Sequence, residues 1–267
     1  MITTIIIFGS NGMLGTYLTR YFNKLYRVIP LTRSDFNILT DIQTLEKTLE
    51  TMLNDTTCVI NCCGLIPQRV NDKSCTDYYI INTVFPLHLS KICTKFNTKL
   101  ICPTTDCVYT GNKGSYVETD FHDETNAYGI SKSLGDPIEA TVIRTSIIGE
   151  ELQNKYSFLE FVKNAKGTIN GYSNHLWNGI TCHQYCKIVD KIIKENLFWR
   201  GVRHIYSPEK KSKYDLACII KEVYSLDIDI SYYNAPVLID KTLASRYEPL
   251  FVIPSLECQI MEQKGVI

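Results

Sequence analysis

The chain has no excess charge of either sign: 28 Lys and Arg stand against 28 Asp and Glu in 267 residues. No basic field exists to attract nucleic acid or an anionic membrane surface. Long apolar runs are missing too, and none approaches the ~18 residues of a membrane-spanning helix. Met1 runs directly into "ITTIIIFG", with no positively charged leader and no small-residue cleavage site, so it does not read as a signal peptide. The 11 cysteines are therefore expected to be reduced thiols of a cytoplasmic protein rather than a disulfide framework. Internal repeats and low-complexity segments are absent. "CHQYC" (Cys182, His183, Cys186) has a metal-like look, but no second ligand pair stands at zinc-site spacing. It opens an amphipathic helix and reads as core cysteines with an exposed histidine; no metal is expected.

What the chain does contain is core material. Hydrophobic residues make up 45% and charged residues 21%, which suits one large α/β unit or a main domain with an appendage. Ile2 to Phe8 is a nearly continuous β-branched run, the pattern of a strand buried on both faces. "GSNGMLGTYLTRYF" stops it with glycine, then repeats Leu14, Leu18 and Phe22 at helical spacing. "RVIPL", "TCVINCCG", "KLICPTTD" and "ATVIRTS" read as four further strands. "TDIQTLEKTLETML" reads as a helix with Thr40 as N-cap and Gln43 completing a capping box. Thr76 to Phe96 reads as one long helix kinked at Pro86, and Tyr128 to Gly135 as a short one.

This alternation predicts an α/β fold with a Rossmann-like, doubly wound parallel sheet over residues 1–149. After Gly149 come helices over 158–166 and 181–196 around a loop over 167–179, then a strand at "VRHIYS", a helix over 214–224 and a strand at "IDISYY". Residues 150–267 are expected to form mostly a smaller α+β substrate domain at the carboxyl edge of the sheet, where open α/β folds bind ligands. Late strands near 176–206 are expected to return to the main sheet.

Gly9, Gly12 and Gly15 form G-x-x-G-x-x-G directly after the first strand. Gly9 permits the tight turn, Gly12 lets the backbone approach a pyrophosphate, and Gly15 lets the helix pack on the strand. The helix N-terminus then offers N–H groups to the anion. NAD-preferring sites usually carry an acid at the end of the second strand. Here "LTRSD" places Arg33 there, with Ser34 beside it, and a guanidinium suits a 2′-phosphate. NADPH is expected over NADH, although Asp35 remains within reach of a ribose. "NCCG" closes the third strand, so Asn61, Cys62 and Cys63 flank the cofactor edge. The two cysteines read as small packing residues, since vicinal thiols bridge only with strain.

Tyr128 and Lys132 in "YGISK" share one helix face. A free phenol titrates near about 10, and an adjacent ammonium is expected to lower that value. Such a phenol can give a proton to a ketone oxygen near neutral pH. Thr105, at the end of the fourth strand, can donate a hydrogen bond to the same oxygen.

"GSNGMLG", "NCCG", the Asn82 helix, "TTDCVYTG", "YGISK" and "VIRTS" stand in the order and spacing of one family. Together they resemble the dTDP-4-dehydrorhamnose reductases of the extended short-chain dehydrogenase/reductases. The likeness covers nearly the whole chain and is strongest before Gly149. It implies catalytic roles for Thr105, Tyr128 and Lys132. It implies cofactor contacts from Gly9, Ser10, Asn11, Gly12, Met13, Leu14, Arg33, Asn61 and Cys62. Substrate contacts would come from Asp106, Cys107, Arg144 and the "NHLWNGIT" loop, with Trp177 and Asn178. The implied partners are a sugar nucleotide and possible self-association as a homodimer.

The departures are specific. Cys107 stands where the family usually has tyrosine, and Ile147 where tryptophan often follows "RTS". The connection from Lys132 to the fifth strand is short. With "SKSLGD", "RTSIIGEE", "NHLWNGIT" and "DKTLAS", these features resemble a branch acting on UDP-linked 2-acetamido-2,6-dideoxy-4-hexuloses. That branch makes UDP-N-acetyl-L-rhamnosamine-type sugars. Cys107 also resembles the thiol of bifunctional 3,5-epimerase/4-reductases that make GDP-fucose and UDP-rhamnose. Those need an acid on the opposite sugar face, where Phe158 or Phe161 falls here and Lys163 and His175 are the nearest candidates. A non-catalytic nucleotide-binding regulatory subunit is a third reading, against which the intact Tyr128/Lys132 pair argues.

Overall fold

The computed structural model describes residues 1–69, 75–153 and 155–267. Six strands, β1 (Thr4–Phe8), β2 (Arg27–Leu31), β3 (Thr57–Asn61), β4 (Lys99–Thr104), β5 (Thr141–Arg144) and β6 (Gly201–His204), form one sheet in the order β6-β5-β4-β3-β1-β2. All its pairings are parallel. The continuous apolar run of β1 follows from burial on both sides. Ile5 and Ile7 face one core with Leu14, Leu18 and Phe22, while Ile6 and Phe8 face another with Leu45, Leu49, Phe85 and Leu89. Side chains alternate across a strand, so a strand between two helical layers must be apolar at every position. The chain runs from β1 to β2 on one side and then returns to β3 on the other. The switch point between β1 and β3 opens a crevice at the carboxyl ends of the strands.

The helix Met13–Phe22 buries Leu14, Leu18 and Phe22, and the helix Cys182–Lys194 packs beside it with Cys182 and Cys186 in the same core. His183 is half-buried, 6.0 Å from the ring of Tyr21. Among the described residues no helix is long and apolar enough to cross a membrane.

Three local expectations differ from the structure. The 40–53 segment is not one helix. A short helix Ile38–Asp41 is capped by Asn37, whose Oδ1 accepts the Leu39 N–H at 3.3 Å, and Thr40 lies inside it. A 3-10 turn and the helix Leu45–Leu49 follow. The long helix breaks before Pro86, not at it: Cys75–Tyr79 is α-helical, Ile80–Val84 is a π turn, and a new helix runs Phe85–Lys95 with Pro86 in its first turn. Proline is tolerated there because first-turn N–H groups have no intrahelical acceptor. The glycine- and asparagine-rich stretch read as a loop contains strands Gly167–Tyr172 and His175–Trp177. Gly171 is small because the Tyr214 ring lies 2.8 Å from where its Cβ would stand. The first strand pairs parallel with Ile228–Tyr233; the second pairs with Lys211–Ser212 and Ile239–Asp240. With the helices Phe158–Lys163, Lys213–Tyr224 and Leu256–Gln263 these strands surround a separate core beyond the carboxyl edge.

Candidate active site

The glycine turn fixes one end of the crevice. Gly9 has φ of +71°, and its own Cβ would meet the Cys62 carbonyl at 3.0 Å. A Cβ on Gly15 would overlap the Gly9 carbonyl, so strand and helix approach closely only with glycine there. Gly12 caps the helix without any side chain of its own, leaving the first-turn N–H groups for an anion. Ser10 is buried beside this turn, and its Oγ finds no hydrogen-bond partner among the described residues. A buried hydroxyl without a partner is costly, and a phosphate oxygen at the turn would satisfy it.

From this turn the crevice extends in two arms. One, of about 270 Å³, passes Gly9, Asn11 and Gly12 to Arg33. Asp35 is turned away from it: its carboxylate accepts from the Thr32 N–H at 2.8 Å and Oγ1 at 2.6 Å. Ser34 is exposed, its N–H donating to Thr32 Oγ1. The other arm, of about 470 Å³, is lined by Met13 and Leu14 and holds Thr105, Tyr128 and Lys132 with Asp106 and Cys107. Gly12, Cys62, Cys63 and Gly64 belong to both arms. Asn61 lies beneath, its Oδ1 accepting the Cys63 N–H at 3.1 Å.

Tyr128 and Lys132 are carried by the helix Ala127–Leu134, which is capped by Asn126 through a 2.8 Å bond from the Gly129 N–H. Gly129 is required because the Glu124 side chain fills its Cβ position. Contrary to the expectation of an ammonium lowering the phenol pKa, burial pushes Tyr128 up, helped by Cys107 and opposed by a hydrogen bond with Thr105. Lys132 instead lies under the chain at Gly64, where a Cβ would be 2.9 Å from its Nζ. Burial pushes Lys132 down, and Asp136 is the first charge holding it up. Tyr128 is thus a phenol that keeps its proton at neutral pH. It still suits an acid's role, because an alkoxide developing at a reduced carbonyl is more basic than a phenolate.

The Cys107 thiol is pushed up to about 12, first by burial and then by Asp106. It is not a thiolate at neutral pH. Phe158 lines the same arm. Phe161 is exposed, Lys163 pairs with Glu150 at 2.7 Å and the His175 ring lies 4.7 Å from that of Tyr172, tilted by 51°.

Three residues expected at the substrate stand elsewhere. Arg144 is 1% exposed and forms an ion pair with Asp136, while its Nη1 donates to the Tyr109 hydroxyl at 3.3 Å. It is a buried counter-ion behind the site. Trp177 packs in the smaller core under Lys213. Asn178 exchanges two 2.8 Å hydrogen bonds with the backbone of Leu243. None of the three lines either arm.

Other residues reach the site from outside the glycine turn and the Tyr128/Lys132 helix. Asn82, in the π turn, accepts from the Leu65 N–H and donates to the Leu65 carbonyl and to Ser131 Oγ, at 2.9 to 3.0 Å. It ties the segment after β3 to the helix Ala127–Leu134. Its helix was one of the motifs that carry the family resemblance. Glu124, Ser157, Phe158 and Lys241 also line the larger arm; Glu124 and Lys241 come from irregular segments, where periodicity has nothing to report, and Ser157 and Phe158 are the cap and first residue of the helix Phe158–Lys163.

A switch-point glycine turn, a threonine at the end of the fourth strand, and a tyrosine and buried lysine on the helix that follows make up the architecture of the extended short-chain dehydrogenase/reductases. The chain belongs within that class to the family of the RmlD substrate binding domain, whose model matches residues 3–231. Among curated proteins, the dTDP-4-dehydrorhamnose reductase of Mycobacterium tuberculosis is 29% identical over 154 residues, 53% of this chain and 49% of that protein. The chain therefore spans about half the length of that relative. The dTDP-4-dehydrorhamnose reductase of Aggregatibacter actinomycetemcomitans is 24% identical over 233 residues, 81% of this chain and 77% of that one. Among solved structures, the dTDP-4-dehydrorhamnose reductase from Bacillus anthracis in complex with NADP superposes with a TM-score of 0.82 at 19% identity, covering 98% of each chain. The Clostridium acetobutylicum dTDP-4-dehydrorhamnose reductase gives 0.81 at 20%, again over 98% of each.

Proposed function

We propose that this protein reduces the 4-keto group of a 4-keto-6-deoxy-L-sugar nucleotide with NADPH. The observation that carries this reading is the convergence of Thr105 and Tyr128 in one arm of a crevice whose other arm ends at Arg33. The dinucleotide supplies the hydride when bound. Gly9, Gly12 and the orphaned Ser10 hydroxyl suit its pyrophosphate, and Arg33 suits a 2′-phosphate because Asp35 is held in its own turn. Thr105 orients the ketone oxygen, Tyr128 donates the proton that completes the alcohol, and Lys132 holds positive charge under the phenol. Asp106 and Cys107 wall the sugar.

The preferred substrate is UDP-2-acetamido-2,6-dideoxy-L-hexos-4-ulose, giving UDP-N-acetyl-L-rhamnosamine for glycan synthesis; this choice rests on the motif resemblance. The setting is cytoplasmic. Epimerisation is less well supported, since Cys107 holds its proton and neither Lys163 nor His175 lines the arm. Loss of reduced-nicotinamide absorbance, with NADPH and NADH against UDP- and dTDP-linked 4-ketosugars, tests the reading. Turnover with NADPH and a UDP-linked acetamido sugar is the expected outcome. Inertness toward every 4-ketosugar would overturn it.

A further inference from the structure

The larger arm is acidic for a site that is to accept a sugar nucleotide. Asp106, Glu124 and Glu151 line it, and its only cations among the described residues are Lys132 and Lys241. Lys132 is committed beneath Gly64. Lys241 is placed differently. It belongs to the segment after strand Ile239–Asp240, which is fastened along the 111–116 turn by Asp240 N–H to Gly111 O, Tyr116 N–H to Thr242 O and Ala244 N–H to Tyr116 O, at 2.7 to 2.9 Å. Its own N–H donates to Leu176 O at 3.3 Å. The backbone is therefore rigid, and the stem lies against Gly111. Nζ stands 3.6 Å from Glu124 Oε2, a long ion pair with 22% of the Lys241 side chain exposed. Glu124 is independently satisfied, since its Oε1 accepts the Thr125 N–H at 2.9 Å. Lys241 can leave Glu124 without stranding it.

We propose that Lys241 is the diphosphate-binding residue of the substrate arm, exchanging Glu124 for a phosphate oxygen when a sugar nucleotide enters. This rests on the sugar-nucleotide reading above and assigns that reading its anion contact. A dianionic linker in this acidic arm is repelled unless a cation meets it, and a lysine on a fastened backbone does so at little conformational cost. The Glu124 pair keeps the ammonium aimed into the arm beforehand.

Calorimetric titration of the full chain with UDP, dTDP and uridine, in the presence of NADP⁺, tests this without needing turnover. Lys241→Gln is expected to weaken UDP or dTDP binding roughly 10- to 100-fold, the worth of a charge-assisted hydrogen bond, and to leave uridine and NADP⁺ affinities within about two-fold. Lys241→Arg is expected to restore most of the diphosphate affinity. Unchanged diphosphate affinity in Lys241→Gln, an equal loss for uridine, or a wild-type protein that binds neither diphosphate overturns the proposal. A wild type that binds them through Lys241 yet reduces no ketosugar upholds this assignment and removes the reductase reading.

Discussion

Lys132 and Gly64 touch in a way that leaves no room for another atom: a Cβ on Gly64 would stand 2.9 Å from the lysine Nζ. The glycine after β3 therefore sets the position of the ammonium carried by the helix Ala127–Leu134. Because the neighbour is the tip of a flexible side chain, Gly64→Ala is expected to cost little stability, within about 1 kcal/mol. It should displace the charge and lower kcat about ten-fold or more. Thermal melting beside steady-state turnover checks this. A large fall in melting temperature, or unchanged turnover, would count against it.

Arg144 supplies a second test, because it is buried in an ion pair with Asp136. Arg144→Met would leave the Asp136 carboxylate buried beside Lys132 without its partner. Breaking a buried pair on one side costs about 3–5 kcal/mol, so urea midpoints should fall strongly. A substrate contact would behave oppositely, raising KM while the midpoint stayed fixed.

Two histidines predict the response to acid. Burial and the Arg144 charge hold His122 and His204 down to about 4; an unfolded histidine titrates near about 6.5. Between those values the unfolded chain binds more protons, so stability is complete above about pH 6.5 and falls as pH drops toward 4. Urea midpoints across that window should decline. His204→Asn should flatten the decline even if it lowers the midpoint at neutral pH.

How much of this was legible beforehand differs between elements for physical reasons. β1 could be read because Ile5, Ile6 and Ile7 are all buried, and a two-sided strand leaves an unbroken apolar run. The glycine turn could be read because backbone approach excludes side chains at Gly9 and Gly15. Strands Gly167–Tyr172 and Ile228–Tyr233 form a separate two-stranded sheet; both are largely exposed, and Gly167, Asn170 and Gly171 gave the first the composition of a loop. The phenol's response was misjudged because four-residue spacing on a helix reports a shared face, not depth. Desolvation, with Cys107 next, sets the phenol's direction. Arg144, Trp177 and Asn178 were motif residues whose partners, Asp136, Lys213 and Leu243, are set by tertiary packing that local sequence cannot report.

The central claim is that Tyr128 delivers the proton to a carbonyl held over a dinucleotide. The measurement closest to it is single-turnover oxidation of NADPH by Tyr128→Phe with a 4-ketosugar nucleotide, alongside NADPH affinity by fluorescence. The account predicts a rate lower by about 10²-fold or more with cofactor affinity retained. A variant that reduces the sugar at the wild-type rate would contradict it.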